Sequence, residues 1–469
     1  MASGDDIAYA SAVRLIDLYR RRELSPVEVT RVTLDRLDAL QPRLNAFCII
    51  DRDGALAAAG ESERRWLRVD PAGPLDGVPV TIKDLVLMRG FPTLRGSHLV
   101  DPAQDWSEDA PATARLREAG AVIIGKTTTP EFGWKAVGDS PLTGITRNPW
   151  DLSRTPGGSS GGAAAACAAG IAPLHVGSDG AGSIRIPCAF TGIFGLKPSF
   201  GRVPAHPLSP MGLLAHIGPM TRTVADAALM LSVLTRPDHR DPYALPPENR
   251  NYLDGLDDGV RDWRIAYSRT LGYARVDPEI AAAVDAAVRC FESLGAIVEE
   301  VDTIFPSPRD ALLTLWAAGL AKVLAGFPAG RRELTDPGLA ANAAEGERIS
   351  AVDYLGADLV RTTLGRQMAE LHRRYDLLLT PMMPIPALPV SQDLNDPVTE
   401  QHWIDWTPFS YPFNMTRQPS ANIPCGLTAA GLPISLQIVG PLYADDRVLR
   451  TACAFETTQP VRRPPLTAN

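Results

Sequence analysis

The residues best suited to chemistry lie in one stretch of small and hydroxyl-bearing residues, 155–202. Its first half packs GGSSGG into positions 157–162, and its second half contains DGAGSIR at 179–185. Glycine lets a ligand approach the main chain closely, so backbone N–H groups can point at an oxyanion while a serine oxygen attacks. This pattern suits acyl transfer. The alternatives are a phosphate-binding turn and a flexible linker, and the linker fits poorly because a helix-forming alanine run follows at 163–169.

A second chemical candidate is a lysine within an apolar segment. Residues 78–86 (VPVTIKDLV) predict a buried strand that carries Lys83. A charged lysine among valines and isoleucine costs several kcal/mol unless it is paired or neutral, and a neutral amine is a base. The alternative is a lysine on an edge strand whose ammonium group reaches solvent.

These segments resemble the signature of the amidase signature family of serine hydrolases. The family pattern GGSSGG, then D-x-(G or A)-x-S-I-R-x-P, is matched at 157–162 and 179–187. A third family segment, like G-V-P-x-x-x-K-D, is matched at 77–84. The resemblance runs from about residue 7 to residue 456, which is nearly the whole chain.

The resemblance implies roles for three residues. Ser183 is implied as the nucleophile, Lys83 as a base kept neutral by burial, and Ser159 as the proton relay between them. The two serines are 24 positions apart, as the family's two serines are. Family members hold the relay serine behind a cis peptide bond, and Gly158 makes such a bond sterically easier.

The same resemblance implies the groups around these three residues. The oxyanion hole is expected to consist of the backbone N–H groups of Gly180, Ala181, Gly182 and Ser183. The residues that orient the loop are expected to be Ser160, Ser178, Asp179 and Arg185. Gly133 and Trp134 are candidates for the substrate pocket, with a purely structural role for Trp134 as the alternative. Arg417 and Ser420 depart from the family, which usually has glycine and alanine at these positions.

A competing motif overlaps the first serine. Residues 157–161 also match G-x-S-x-G, the nucleophile elbow of α/β-hydrolases, which follows a buried strand and needs an aspartate and a histidine downstream. The preceding NPWDLSRTP is polar and carries two prolines, so it does not predict a strand. The histidines available for this role have no motif around them: His206, His216, His239, His372 and His402. They also lack metal-ligand spacing, so we expect neither a metal nor an organic cofactor.

The elements around these motifs alternate between helix and strand. A helix at 110–119 precedes a strand at 120–126, and a strand, a helix and a strand are predicted at 264–268, 278–294 and 296–301. This order indicates an α/β fold. The resemblance implies one large domain over residues 1–469, with a central mixed, twisted sheet covered by helices on both faces. Its signature core is expected at about 75–235, and a less typical, substrate-facing segment at about 302–420.

Composition excludes several classes of protein. The 469 residues carry a net charge of −8, which argues against nucleic acid as a partner. Six scattered cysteines without a C-x-x-C pair predict reduced thiols rather than disulfides. The N-terminus lacks a secretory signal, and the longest apolar run, 163–176, is too short for a membrane span. We therefore expect a cytoplasmic monomer or homodimer that acts on a small molecule.

The expected function is a serine hydrolase that cleaves a C–N bond of a small carboxamide through an acyl-enzyme. Anilides, carbamates and esters are accessible to the same three residues. One alternative is the glutaminase subunit of a tRNA-dependent amidotransferase, which works with partner chains. Residues 201–220 do not look like that subunit's usual sequence and favour an independent amidase. Another alternative is an inactive binding protein, which the intact catalytic positions disfavour.

Overall fold

The computed structural model of this chain describes residues 4–459 and 462–466. In chain order, its strands are β1 Phe47–Ile50, β2 Pro79–Lys83, β3 Val122–Thr127, β4 Asp139–Ser140, β5 Gly144–Ile145, β6 Leu174–Asp179, β7 Phe194–Lys197, β8 His216–Thr221, β9 Arg264–Tyr267, β10 Ile297–Glu300, β11 Leu377–Pro381, β12 Ser420–Leu427 and β13 Pro433–Val439. Its α-helices are α1 Gly4–Ala8, α2 Ala12–Arg21, α3 Pro26–Leu44, α4 Arg52–Leu67, α5 Pro111–Glu118, α6 Gly161–Ala168, α7 Arg185–Thr191, α8 Val224–Leu234, α9 Pro278–Ser293, α10 Arg309–Leu324, α11 Pro337–Gly346, α12 Ala351–Leu371, α13 Pro412–Met415 and α14 Asp445–Glu456.

Eleven of the described strands form one sheet in the order β1-β3-β2-β6-β8-β7-β12-β13-β11-β9-β10. Two groups of three strands run parallel, namely β3-β2-β6 and β11-β9-β10, and the remaining pairs are antiparallel. The short strands β4 and β5 form a separate hairpin. The sheet is therefore mixed, as expected from the sequence.

Helices pack against both faces of this sheet. Along β11, Leu377 and Leu379 join one apolar cluster while Leu378 joins another, because successive side chains of a strand point to opposite faces. The first cluster includes side chains of α8, α9 and α14, and the second includes side chains of α7, α10, α11 and α12. The expected α/β domain with a mixed sheet flanked by helices is confirmed.

Local signals explain where individual helices begin. The Ser25 Oγ accepts a hydrogen bond from the Glu28 N–H at 3.2 Å, and the Ser25 N–H donates to Glu28 Oε2 at 2.8 Å. With Pro26 at the first helical position, this capping box starts α3.

Across residues 4–459 and 462–466, no helix is long and apolar enough to span a membrane.

Two neighbouring parallel strands bring the candidate residues together. Strand β2 pairs with β6 in the register Val80 to Leu174 and Ile82 to Val176. The carboxyl ends of both strands meet at the same edge of the sheet, so Lys83 at the end of β2 lies beside the end of β6. Because β2 is flanked by β3 and β6, the alternative of a lysine on an edge strand is wrong.

Candidate active site

Lys83 is the centre of a cluster of hydroxyl groups. Its side chain is fully buried, and its Nζ is within hydrogen-bond distance of Ser159 Oγ at 2.8 Å, Ser160 Oγ at 2.9 Å and Ser178 Oγ at 2.9 Å. An amine has three hydrogen-bonding positions besides its carbon, and these three hydroxyls occupy them. Burial lowers the pKa of Lys83 well below its ordinary value of 10.5, although the Asp179 carboxylate opposes that shift.

Ser159 lies in irregular chain between the β4–β5 hairpin and α6. The Gly158–Ser159 peptide bond is cis. A Cβ on Gly158 would lie 2.5 Å from the carbonyl oxygen of Val137, so only glycine fits at this position. In the described chain no strand directly precedes Ser159, and among the described histidines none forms a hydrogen bond with Ser159 or Ser183. The α/β-hydrolase interpretation is therefore not supported.

Ser183 lies in the turn between β6 and α7 and is 6% exposed. Its carbonyl oxygen accepts a hydrogen bond from the Ser160 N–H at 3.1 Å, so the two serine loops are joined through the backbone. Ser159 and Ser183 both line one cavity. The Ser160 hydroxyl also bonds the carbonyl oxygen of Ser178 at 3.2 Å, which ties the loop before α6 to the end of β6.

The glycine-rich turn offers three free backbone donors rather than four. The Gly182 N–H donates to Asp179 Oδ1 at 2.6 Å, so it is not available to an oxyanion in this conformation. In the described part of the chain, the N–H groups of Gly180, Ala181 and Ser183 have no acceptor. The expectation that all four amides point at an oxyanion is thus corrected for Gly182. Its N–H group donates to the buried Asp179 carboxylate instead.

Asp179 and Arg185 form an ion pair beneath this turn, and both side chains are fully buried. The Arg185 Nε lies 3.0 Å from Asp179 Oδ2, and one terminal nitrogen lies 3.1 Å from Asp179 Oδ1. Burial alone would raise the pKa of Asp179. The positive charge of the Arg185 guanidinium outweighs this effect of burial and holds the pKa below its ordinary value. Asp179 also accepts a hydrogen bond from the Ile184 N–H at 3.2 Å. The ion pair therefore fixes the backbone on both sides of Ser183.

Three polar side chains far along the sequence complete this network, and the motif analysis missed them. Asn414 Nδ2 donates to Asp179 Oδ1 at 2.9 Å, and Asn414 Oδ1 accepts from Arg185 at 2.7 Å. Gln437 Oε1 also accepts from Arg185 at 2.7 Å. Ser410 Oγ donates to the carbonyl oxygen of Ala181 at 2.6 Å. Gln437 could have been noticed as an amide within a wholly buried apolar strand, β13.

The two departures from the family pattern have different surroundings. The Ser420 hydroxyl bonds Gln437 Oε1 at 2.9 Å, so it joins the network that holds Arg185. Arg417 has a positive φ of 63°, a conformation that favours glycine. That backbone conformation explains why glycine is usual there, and the arginine side chain lines a different cavity.

The cavity lined by the candidate residues Ser159 and Ser183, named the catalytic cavity for them, has a volume of about 620 Å³. Its polar end contains Ser159, Ser178 and Ser183, and its walls are mostly apolar, formed by Leu85, Phe132, Phe200, Val203, Leu208, Met211, Val323 and Phe327. Arg95 and Lys322 are cationic residues in this lining. The cavity therefore suits a molecule with a reactive polar group at one end and an apolar body.

Of the two pocket candidates, only Gly133 lines this cavity. A Cβ on Gly133 would lie 3.0 Å from Ser159 Oγ, so glycine keeps the space beside that hydroxyl open. Trp134 lies behind the wall, 4% exposed, with its ring packed against Gly338. Its carbonyl oxygen accepts from the indole N–H of Trp316, whose ring packs against Gly180.

In the described residues, no group of three histidine, cysteine, aspartate or glutamate side chains is placed to hold a metal ion.

Comparisons with known proteins show which family the chain resembles over most of its length. The family model described as Amidase matches residues 28–449. The chain is 37% identical over 465 residues to an acylamidase of Rhodococcus erythropolis, covering 97% of this chain and 96% of that protein. It is 35% identical over 470 residues to a glutamyl-tRNA(Gln) amidotransferase subunit of Geobacter sp. strain M21, covering 93% and 94%. Among solved structures, a bacterial aryl acylamidase superposes with a TM-score of 0.90 at 32% identity, covering 96% of each chain. This chain belongs to the amidase signature family and is an amide C–N hydrolase.

Proposed function

We propose that the chain is a serine amidase in which Lys83, Ser159 and Ser183 act as base, relay and nucleophile on a small carboxamide. The observation that carries this proposal is the buried Lys83, whose Nζ lies 2.8 Å from Ser159 Oγ and whose pKa is lowered by burial. A neutral amine so placed can take a proton from a serine hydroxyl at a pH where an exposed lysine cannot.

The first step forms a tetrahedral intermediate. Ser183 Oγ attacks the carbonyl carbon of the substrate and passes its proton to Ser159 Oγ, while Ser159 passes its own proton to the Lys83 Nζ. The carbonyl oxygen becomes an oxyanion, and the free N–H groups of Gly180, Ala181 and Ser183 are the donors we propose for it.

The second half of the reaction returns the proton. Collapse of the intermediate breaks the C–N bond, and the Lys83 ammonium protonates the leaving amine through Ser159, which leaves an acyl-Ser183 ester. Water then attacks that ester with Lys83 and Ser159 again taking the proton, so the carboxylic acid is released and Ser183 is restored.

The lining of the catalytic cavity supports an amide with an apolar, aryl or aliphatic, body. Phe132, Phe200 and Phe327 line this cavity, and Phe327 lies just after the end of α10. The same α10 contributes Lys322 and Val323. We therefore propose that the substrate-facing part of the segment 302–420 is mainly α10 and its C-terminal end. The proline-rich run 381–390 instead packs in the core, where Met382 is fully buried.

A cytoplasmic location is part of this proposal. All six cysteines lie in the described residues and are free thiols, as is typical of a reducing compartment. The chain is proposed to work as a monomer or a homodimer, which light scattering on the purified protein would decide.

A second candidate function is that of a glutaminase subunit in a tRNA-dependent amidotransferase. It is favoured by the 35% identity to such a subunit over 93% of this chain. The mostly apolar walls of the cavity favour an apolar substrate body over glutamine, although Arg95 and Lys322 in the same lining could pair with a carboxylate. Glutaminase activity that appears only with partner chains would establish this alternative.

The test is a substrate screen on the purified chain, with release of ammonia or amine as the readout. Anilides and aliphatic amides with apolar acyl groups should be hydrolysed, glutamine should not, and esters and carbamates are included for comparison. A sulfonyl fluoride should label Ser183, seen by peptide mass, and Ser183→Ala should lose both labelling and turnover. Turnover that persists in Ser183→Ala would contradict the proposed nucleophile.

A further inference from the structure

A second cavity, of about 550 Å³, lies apart from the catalytic serines. It is bounded by the C-terminal half of α12, the chain between α13 and β12, and the residues after β13. Its lining includes Arg361, Thr362, Arg366, His372, Thr416 and Arg417. None of the residues assigned above to the catalytic site contributes to it, so it is a separate feature of the molecule.

The charge of this cavity is strongly positive. Three arginines line it, and no aspartate or glutamate among the described residues does. Arg361 has an acidic partner, Asp358, which lies outside the lining. Burial of Arg361 lowers its pKa, and the nearby positive charge of Arg417 lowers it further. Like charges that lie close together favour a bound anion between them. The chain as a whole has a net charge of −8, so this positive cavity differs in sign from the molecule around it.

The geometry of Arg417 strengthens this point. Its φ of 63° is costly for a residue with a side chain, and the family usually has glycine there. The Arg417 guanidinium has no hydrogen-bond or ion-pair partner within residues 4–459 and 462–466. Arg417 is exposed, so its guanidinium is open both to solvent and to an anion in the cavity.

Further polar atoms around the cavity also lack partners. Thr416 is 5% exposed and Gln418 is 3% exposed, and Thr416 Oγ1 and Gln418 Oε1 have no hydrogen-bond partner in the described chain. Both residues line the cavity. Burial lowers the pKa of His372 to about 4, so this residue adds no charge at neutral pH. Both oxygen atoms are buried away from the cavity surface, so we assign contact with a ligand to the arginines alone.

We propose that this second cavity binds a small molecule with two or more negative charges, either a phosphate compound or a polycarboxylate. Arg361, Arg366 and Arg417 bind its oxyanion groups, because a planar guanidinium matches both phosphate and carboxylate oxygens. The volume of about 550 Å³ exceeds that of a single phosphate group, so the cavity has room for an organic body attached to the anionic groups. This site is independent of the proposed catalytic mechanism.

The experiment is a calorimetric titration of the full chain with inorganic phosphate and, separately, with malonate, at constant ionic strength set by sodium chloride. We expect saturable binding of one anion per chain with a Kd of about 1 mM or tighter. Tighter binding of phosphate identifies a phosphate compound as the ligand class, and tighter binding of malonate identifies a polycarboxylate.

Two variants and one control make the test specific. Arg366→Gln removes an exposed cation of α12, and Arg417→Gly removes a cation while relieving the positive φ. Each should weaken binding at least tenfold. Arg289→Gln removes an exposed cation of α9 that does not line the cavity and should leave the Kd unchanged. No saturable binding of either anion, or unchanged affinity in the Arg417→Gly variant, would overturn the proposal.

Discussion

In the proposed mechanism, the protonation state of Lys83 decides whether this residue can act as the base. Its three close partners are hydroxyl groups, and the nearby carboxylate of Asp179 is already paired with Arg185. A buried ammonium without an anionic partner is costly, because hydroxyl dipoles replace water only in part. The neutral amine is thus favoured, and its lone pair faces the Ser159 hydroxyl group that would carry the proton.

The first prediction tests whether Lys83 and Ser183 act as one unit. Ser183→Ala and Lys83→Met should each reduce kcat by roughly four to six orders of magnitude, because either change interrupts the same proton transfer. The double variant should be little slower than Ser183→Ala alone. Losses that multiply in the double variant would show that the two residues act independently.

The second prediction concerns the pH dependence of the rate. The base must be deprotonated, so kcat/KM should fall as the pH falls through the Lys83 pKa, which lies well below 10.5. Activity is therefore expected at neutral pH, with a further rise at higher pH. The measurement is kcat/KM from pH 5 to 10 on an uncharged substrate. Lys83→Met should lose this dependence along with the activity, and a wild-type profile in that variant would exclude Lys83 as the base.

Among the secondary-structure elements, the turn after β6 depends on segments far along the chain. Ser410 follows the short 3-10 helix Trp403–Trp406, and its hydroxyl donates to the carbonyl oxygen of Ala181. A Cβ on Gly182 would lie 2.7 Å from the Ser410 Cβ, so the two segments are in close contact. The orientation of the free amides in this turn therefore depends on Ser410.

The third prediction is that Ser410→Ala reduces kcat by about tenfold with little change in KM, because small displacements of catalytic groups are costly. Stability should fall by about 1 kcal/mol, the net value of one hydrogen bond. Ser435→Ala is a matched control, since its hydroxyl is buried in β13 and has no partner among the described residues. That variant should keep both kcat and stability. Equal effects of the two substitutions would show that Ser410 has no positioning role.

For the molecule as a whole, one buried carboxyl group links the last helix to the core. Glu456 Oε1, at the end of α14, accepts a hydrogen bond from the Val224 N–H at the start of α8 at 2.9 Å. Burial raises the pKa of Glu456 from 4.5 to about 7, and the nearby Asp226 adds to this shift. Between these pH values the folded chain binds a proton that the unfolded chain does not. The resulting stabilisation is fully present below pH 4.5 and is lost as the pH rises through 7.

The fourth prediction is that Glu456→Gln stabilises the protein at alkaline pH. The amide keeps an oxygen for the Val224 N–H and cannot ionise, so at pH 9 the variant should gain up to about 3 kcal/mol, since one pKa unit corresponds to about 1.4 kcal/mol. The gain should be much smaller at pH 5. Thermal unfolding at both pH values measures it, with Glu292→Gln, an exposed position of α9, as the control. A gain that does not depend on pH would contradict this account.

The sequence by itself determined the reaction class and supplied the candidate residues of the proposed catalytic loop. The glycines and serines of 157–162 and 179–185 are constrained locally, because a close backbone approach needs small residues whatever surrounds them. The resemblance to a known signature then implied Lys83, Ser159 and Ser183 in these segments. The alternation of helices and strands likewise indicated an α/β fold, because hydrophobic periodicity is a local property.

Only the tertiary structure decided what surrounds these residues. Asn414 and Gln437 reach Arg185 across more than two hundred positions, and no local pattern records such contacts. The Gly182 N–H donates to Asp179, a contact that depends on the conformation of the turn. Trp134 packs in the core rather than facing the cavity, because distant segments such as the one at Gly338 fill the space around its ring. The lowered pKa of Lys83 is likewise a consequence of burial, which arises when the central sheet and its helices close around the side chain.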